Sequence, residues 1–380
     1  MKTENMRWSP TAGWILPPPR LLGDTAGLVL LFGARDVLDN GSAALRTIRD
    51  SYPQAQVIGC STAGEILGTN VFDDTLVGTA IAFERTRVET AEVAIHDAAD
   101  SRACGEALAR KLVKDGLAHI FLLSDGLNVN GSELVDGIRR VVPRDVVVTG
   151  GLSGDGARFE RTLVIHNGTC SPNLIVAAGL FGNDLKIGYG SLGGWDAFGP
   201  ERIITKARKN VLFELDAQPA LALYKRYLGD YAHGLPATAL LFPLSLRANS
   251  KDTNYLVRTI LSVDYAAGSM TFAGDMPERS LARMMKANFD RLIDGAHDAA
   301  AQTFVRVGSE TPDLAILISC VGRKMVLQQR VEEEVEGVRE VLGPTAMIGF
   351  YSYAEISPIA EPGSCELHNQ TMTITTLSER

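Results

Sequence analysis

The sequence predicts an α/β protein of two domains on mixed sheets, with a strand-helix-strand-turn unit repeated along the chain. Three observations carry this. Short apolar runs of strand length alternate with amphipathic segments of helix length. The segments VIGCSTAGEI (57–66) and MIGFYSYAEI (347–356) agree at Ile, Gly, Glu and Ile, and VVTGGLSGDG (147–156) aligns with them if Thr149 takes the place of Gly59. The length of 380 residues, 46% hydrophobic and 22% charged, fits roughly two globular domains.

Residues 1–24 are polar and aperiodic, with Pro17, Pro18 and Pro19 in a row, and read as an N-terminal tail or a strap on the body. An amino-terminal domain is expected over 25–212 and a carboxyl-terminal one over 213–380. In the first, 27–33 is a strand of buried length, followed by a helix with Leu45 and Ile48 on one face and a strand at 55–60. The runs 76–83 and 87–95 read as an antiparallel pair, because the second partly alternates. The pattern restarts with helices near 102–115 and 132–141 around strands 119–124 and 145–149. Strands at 161–166, 173–179 and 185–190 lead into the turn GSLGGWDAFGPER and a strand near 202–208. Beyond the boundary come a helix at 220–228, strands from 238, a long helix over 279–304, a strand at 313–319 and a helix over 324–342. That last helix carries an apolar stripe of Leu327, Val331, Val335, Val338 and Leu342, which turns Glu332, Glu333, Glu334 and Glu336 mostly to water. The repeated units begin at Leu28, His119 and Asp313.

Composition excludes several classes of function. A net charge of −8 argues against a nucleic-acid binder, which needs a basic face, and weakly against attachment to anionic membrane. No run approaches the ~20 apolar residues of a membrane span, and the first residues lack the apolar core of a signal peptide. Five cysteines, with no CxxC pair, supply neither a disulfide framework nor a zinc site. A soluble, cytoplasmic protein is expected.

Two strands joined by a helix are normally parallel, so the turn after the second lies at the carboxyl end of the sheet, where α/β proteins gather ligands. Three such turns are expected to surround a hollow lined by Cys60, Ser61, Thr62, Glu65, Asp125, Asn128, Ser153, Asp155, Cys320 and Glu355. The loop from Ser124 to Glu133 reads either as a polar cradle at a helix start or as an Asx turn with an N-cap. It lacks the Lys of a P-loop, and Gly151-Leu152-Ser153-Gly154-Asp155 misses the G-x-S-x-G elbow. None of six histidines has metal-site spacing. His368 and His233, in that order, are candidate haem ligands, with a plain hydrogen-bonded imidazole as the ordinary alternative. Cys60 and Cys320 are buried small hydrophobes unless cations lower their pKa. Arg323 and Lys324 offer such a field, and equally suit a carboxylate or propionate. Phe350, Tyr351, Tyr353, Trp195 and Phe198 are pocket walls or a core shared between domains.

The segments GWDAFGPER, ELDAQPALALYKRYLG, LPATALLFPL, ILISCVGRKMVLQQRVEEEV, MIGFYSYAEI and CELHNQT resemble the FIST family, with FIST and FIST_C halves, as do VIGCSTAGEI and LLSDGLNVNGSEL. The resemblance covers nearly all of 27–377, departing at Ala354, where related segments commonly carry Gly. It implies a bacterial sensory module that binds a small or gaseous ligand and controls a separate signalling partner. The similar NosP-type proteins stand alone, bind haem, respond to nitric oxide and regulate histidine kinases or cyclic-di-GMP enzymes. From that follow the expectations of haem b with His368 or His233 on the iron and Arg323, Tyr351 and Tyr353 around it, no catalytic residues, and a possible homodimer. The alternatives are a sensor of an amino-acid-like metabolite held by Arg323, an enzyme with Cys60 or Cys320 as nucleophile, and a scaffold without ligand.

Overall fold

In each repeat a glycine sets how closely two parallel strands approach. The computed structural model describes residues 1–15, 21–40, 42–252, 255–308, 310–359 and 361–380. Parallel pairs form between Leu28–Gly33 and Gln56–Ser61, Leu117–Ser124 and Val147–Leu152, and Leu314–Cys320 and Ala346–Ser352. Their registers place Leu31 opposite Gly59, Leu122 opposite Gly150 and Leu317 opposite Gly349. A Cβ on these glycines would lie 2.0, 1.9 and 1.9 Å from the carbonyl oxygen of the facing leucine, closer than any side chain tolerates. The three positions are therefore equivalent, and Gly150, not Thr149, overlays Gly59 and Gly349. The sequence alignment of the second copy is off by one residue.

After each pair the chain makes a hairpin and gives it to a neighbouring unit. Glu65–Leu67 and Asn70–Phe72 join the third unit's sheet, Val164–His166 and Thr169–Ser171 the first's, and Ala354–Pro358 and Cys365–His368 the second's. The chain then returns antiparallel to its own first strand through Leu76–Ala82, Leu174–Phe181 and Met372–Glu379. A further strand passes on to another unit's return strand: Arg87–Ala94 pairs Leu174–Phe181, and Leu185–Leu192 pairs Met372–Glu379. Lys2–Ser9 pairs Leu76–Ala82 and completes the circle. Three interleaved sheets thus surround a pseudo-threefold centre. Between the second and third units is inserted an eight-stranded sheet from Asp196–Arg208 to Leu281–Lys286, packed on helix Ala220–Leu228.

Several expectations change. Residues 2–9 form the last long strand of their sheet, next to the two-residue edge strand Gly13–Trp14, rather than a tail, and are polar because Met6 and Ser9 alone are buried in it, while Pro17, Pro18 and Pro19 lie outside the described residues. The runs at 76–83 and 87–95 do not pair with each other but enter different sheets. Their link is held by Glu379, whose carboxylate accepts the backbone N–H groups of Glu84, Arg85 and Thr86 at 2.5, 2.7 and 2.6 Å. The helix expected over 279–304 begins only at Phe289, because Leu281–Lys286, although built of helix formers, pairs with strands on both sides. The helix over 324–342 is two helices, Val321–Leu327 and Val331–Leu342, and Glu334 is fully buried instead of facing water.

Candidate functional site

The three turns that follow the parallel pairs meet at the centre. Ala63 N–H donates to the Tyr351 carbonyl at 2.8 Å, Gly154 to Ser61 at 2.8 Å and Tyr353 to Leu152 at 3.2 Å, a closed cycle running through equivalent positions. Thr62, Ser153 and Ser352 follow at one shared position. The Thr62 hydroxyl donates to Glu65 at 2.5 Å and that of Ser352 to Glu355 at 2.6 Å. The second oxygen of Glu65 accepts Thr75 N–H and hydroxyl at 3.1 and 2.8 Å; that of Glu355 accepts those of Thr371 at 3.3 and 2.9 Å. The second unit differs because its acid stands one residue early. Ser153 donates to the Ser124 carbonyl at 2.8 Å, while Asp155 binds Arg35 at 2.9 Å, Arg158 at 2.6 Å and the backbone N–H groups of Glu160 and Arg161.

The bends therefore converge but bind one another where a hollow was expected. Ser61 closes the junction, donating to the Gly154 carbonyl and accepting Leu163 N–H, both at 2.8 Å. Burial pushes the Glu65 carboxyl up to about 7 and that of Glu355 up to about 8, against the hydroxyl bonds that favour ionisation. Asp125 caps its own loop, accepting Leu127 and Asn128 N–H at 2.8 and 2.7 Å, while Asn128 bonds Asn173 at 2.8 Å. The Asx turn thus describes this loop. Cys60 and Cys320 are buried with their thiols pushed up by desolvation, and neither bonds an imidazole among the described residues. A buried thiol of raised pKa is a poor nucleophile.

Arg323 does not face a ligand. Its guanidinium is fully buried, paired with Glu334 at 3.0 and 2.8 Å and donating to the carbonyls of Gly193 and Leu292. Tyr351 and Ser319 complete the network, donating to Glu334 at 2.6 and 3.1 Å. Taking Glu334 into the interior is what removes Arg323 from the candidate anion site. Lys324 bridges to the first unit through the Ala63 carbonyl at 2.9 Å and Asp73. Tyr353 bonds Gly156 and Phe159 backbone atoms at 3.2 Å and stacks on the Phe159 ring at 4.3 Å.

Open space lies to the sides of the junction. A cleft of about 350 Å³ is lined by Tyr189, Ser191, Tyr255, Gln302, His368 and Thr371, among others. Helix Phe289–Val307 reaches it by lying flat on strand Leu185–Leu192, where a Cβ on Gly190 would stand 2.0 Å from the Ala299 carbonyl. His368 donates from Nε2 to the Ser357 carbonyl at 2.9 Å and turns Nδ1 to the Ser191 hydroxyl at 3.4 Å. Burial lowers its pKa to about 4, so the imidazole is neutral. Thr371, in the same wall, is the residue that clasps Glu355. Between the two, Asn369 and Gln370 are fully buried, and neither side-chain amide has a partner. A second cleft, of about 290 Å³, borders Leu127, Asn130, Phe159, Lys209, Phe272 and Tyr353. His233 is exposed in the inserted sheet domain, on an open basin beside Lys225, Arg226 and Tyr265. Sequence reasoning missed Tyr189, Ser191, Gln302 and Thr371. CELHNQT already pointed to the segment carrying Thr371, whereas nothing in the helix marks Gln302.

The FIST N domain matches residues 27–218 and the FIST C domain 220–358, and the chain belongs to the FIST family. FIST domains are small-ligand sensory domains of signal transduction rather than catalytic ones. An uncharacterized Mycobacterium tuberculosis protein is 23% identical over 366 residues, 93% of this chain and 92% of that protein. An uncharacterized Methanocaldococcus jannaschii protein is 24% identical over 319 residues, 77% of this chain and 59% of its own length. Among solved structures, a cyanuric acid hydrolase from A. caulinodans is similar at 7% identity and TM-score 0.39, covering 100% of this chain and 99% of that one. Among the described residues no helix is long and apolar enough to cross a membrane, and no group of His, Cys, Asp and Glu could hold a metal ion.

Haem meets one of its requirements in the His368 cleft. His368 is neutral, with its second nitrogen fixed by a carbonyl, as an axial imidazole must be. Among the described residues no lysine or arginine lines the cleft to take propionates, and about 350 Å³ is at the small end even for drug-sized ligands. These residues fit an imidazole ligand and do not fit the whole macrocycle.

Proposed function

We propose that this protein is a small-ligand sensor whose ligand seat is the His368 cleft and whose output passes to a separate signalling partner, a histidine kinase or a cyclic-di-GMP enzyme. One observation carries the reading. Thr371 lines the cleft and at the same time binds Glu355, which anchors the third unit's turn at the junction of all three units. A ligand that displaces Thr371 loosens that junction, and one that braces it tightens it. Either way the ligand biases a two-state element through differential contacts.

The test is the small-molecule content of the full chain isolated under native conditions, compared with Val305→Trp at the cleft's exposed rim. Mass spectrometry of molecules released on denaturation is expected to find a ligand depleted in the variant. The same molecules in equal amount from both proteins would place the seat elsewhere.

The haem and nitric-oxide version draws support from His368 alone. Visible spectra of protein produced with haem supplied are expected to show no Soret band. A Soret band that responds to nitric oxide and disappears in His368→Ala would restore that version.

A further inference from the structure

We propose that the His368 cleft selects a small uncharged ring amide over a carboxylate of the same shape. This rests on the reading that the cleft is the ligand seat, and adds to it the chemistry of the ligand. Among the described residues no Asp, Glu, Lys or Arg lines the cleft. Its polar groups are neutral. The Gln302 carbonyl oxygen accepts Ser191 N–H at 3.1 Å, and this fixes the amide so that its N–H₂ group is left to donate to something in the cleft. The Ser191 hydroxyl lies beside it, 3.4 Å from Nδ1 of a neutral His368. A ligand carbonyl suits the Gln302 donor, and a ligand N–H suits the hydroxyl oxygen. Tyr189, Tyr255, Val257 and Ile359 supply the apolar wall that a ring needs.

Two buried cations border the cleft without facing it, and Arg323 is held by Glu334 and the carbonyls of Gly193 and Leu292. Arg258 follows Val257 in the chain, but its N–H groups are turned to the carbonyls of Leu367 at 2.9 Å, Asp275 at 3.3 Å and Val257 at 3.4 Å. A carboxylate entering the cleft would give up water without gaining an opposite charge, and an unpaired charge is penalised far more than an unpaired amide.

The probes are matched pairs of one shape: nicotinamide with nicotinate, and benzamide with benzoate, at millimolar concentration near neutral pH. Binding to the full chain is followed by ligand-detected NMR and repeated with Gln302→Leu. The amide of at least one pair is expected to bind about tenfold or more tightly than its carboxylate, with the difference lost in Gln302→Leu. If the carboxylates bind as well or better and depend on Gln302, the seat stands and the ligand class falls. If no probe binds, or binding ignores both Gln302→Leu and Val305→Trp, the seat itself is wrong.

Discussion

Replacing Glu355 by Gln should change how the protein's stability responds to pH, not merely its level. In the fold Glu355 is fully buried, with Ser352 and Thr371 on its oxygens, neutral His368 opposite it on the paired strand and Cys320 and Arg323 coupled to its charge, and desolvation raises its pKa from 4.5 to about 8. The folded state therefore holds a proton that the unfolded chain releases above its ordinary pKa. The stabilisation is fully present below pH 4.5 and is lost as pH rises to about 8. One such group contributes a slope of about 1.4 kcal/mol per pH unit, an upper bound of about 5 kcal/mol across the interval. Glu65, raised to about 7, adds a second slope of the same sign. His119 and His368, lowered to about 3 and about 4, give slopes of the opposite sign below about pH 6.5 in both proteins, so the difference is what reports Glu355. In urea unfolding Glu355→Gln should gain on the wild type by about 1.4 kcal/mol per pH unit between pH 5 and 7. At pH 5 the variant should be less stable by about 1–2 kcal/mol, since the amide N–H₂ group faces Thr371 N–H. At pH 8 it should be the more stable of the two. Parallel pH profiles would show that Glu355 is ionised in the fold and would refute the reasoning.

Gly349→Ala should yield insoluble or unfolded protein, because its Cβ would stand 1.9 Å from a backbone carbonyl that both neighbouring strands hold in place. Solubility and circular dichroism check this, with Gly343→Ala, where no atom lies within 4 Å but φ is +66°, as a milder control. Arg323→Met should cost about 3–5 kcal/mol in chemical denaturation, because it leaves Glu334 buried and unpaired, whereas Arg323→Met with Glu334→Leu should recover most of that loss. Thr371→Val, which keeps shape and removes the hydroxyl on Glu355, should lower stability by about 1–3 kcal/mol and uncouple ligand binding in the cleft from thermal stabilisation.

Much of the centre can be read from the repeats. Glu65 and Glu355 occupy equivalent positions and bind equivalent threonines, as the match of VIGCSTAGEI with MIGFYSYAEI implies. The second copy misleads by one residue because only strand register, a long-range property, shows that Gly150 and not Thr149 faces a leucine carbonyl. The exchange of hairpins is hidden for the same reason. Val164–His166 carries no local sign that its partner is Gln56–Ser61. Leu281–Lys286 is built from helix formers, and its strand state comes from neighbours far away in the chain. The turns were expected to enclose space because they are rich in glycine. Those glycines instead allow backbone to meet backbone, and the open volume lies beside His368, where Gln302 arrives from a helix whose pattern reports packing alone.

A crystal structure of the full chain soaked with the tightest-binding amide decides the matter. Density between Gln302 and His368, with the Thr371–Glu355 contact altered, is the predicted result. Density confined to the space beside Phe159 and Tyr353, with the His368 wall unchanged, would contradict it.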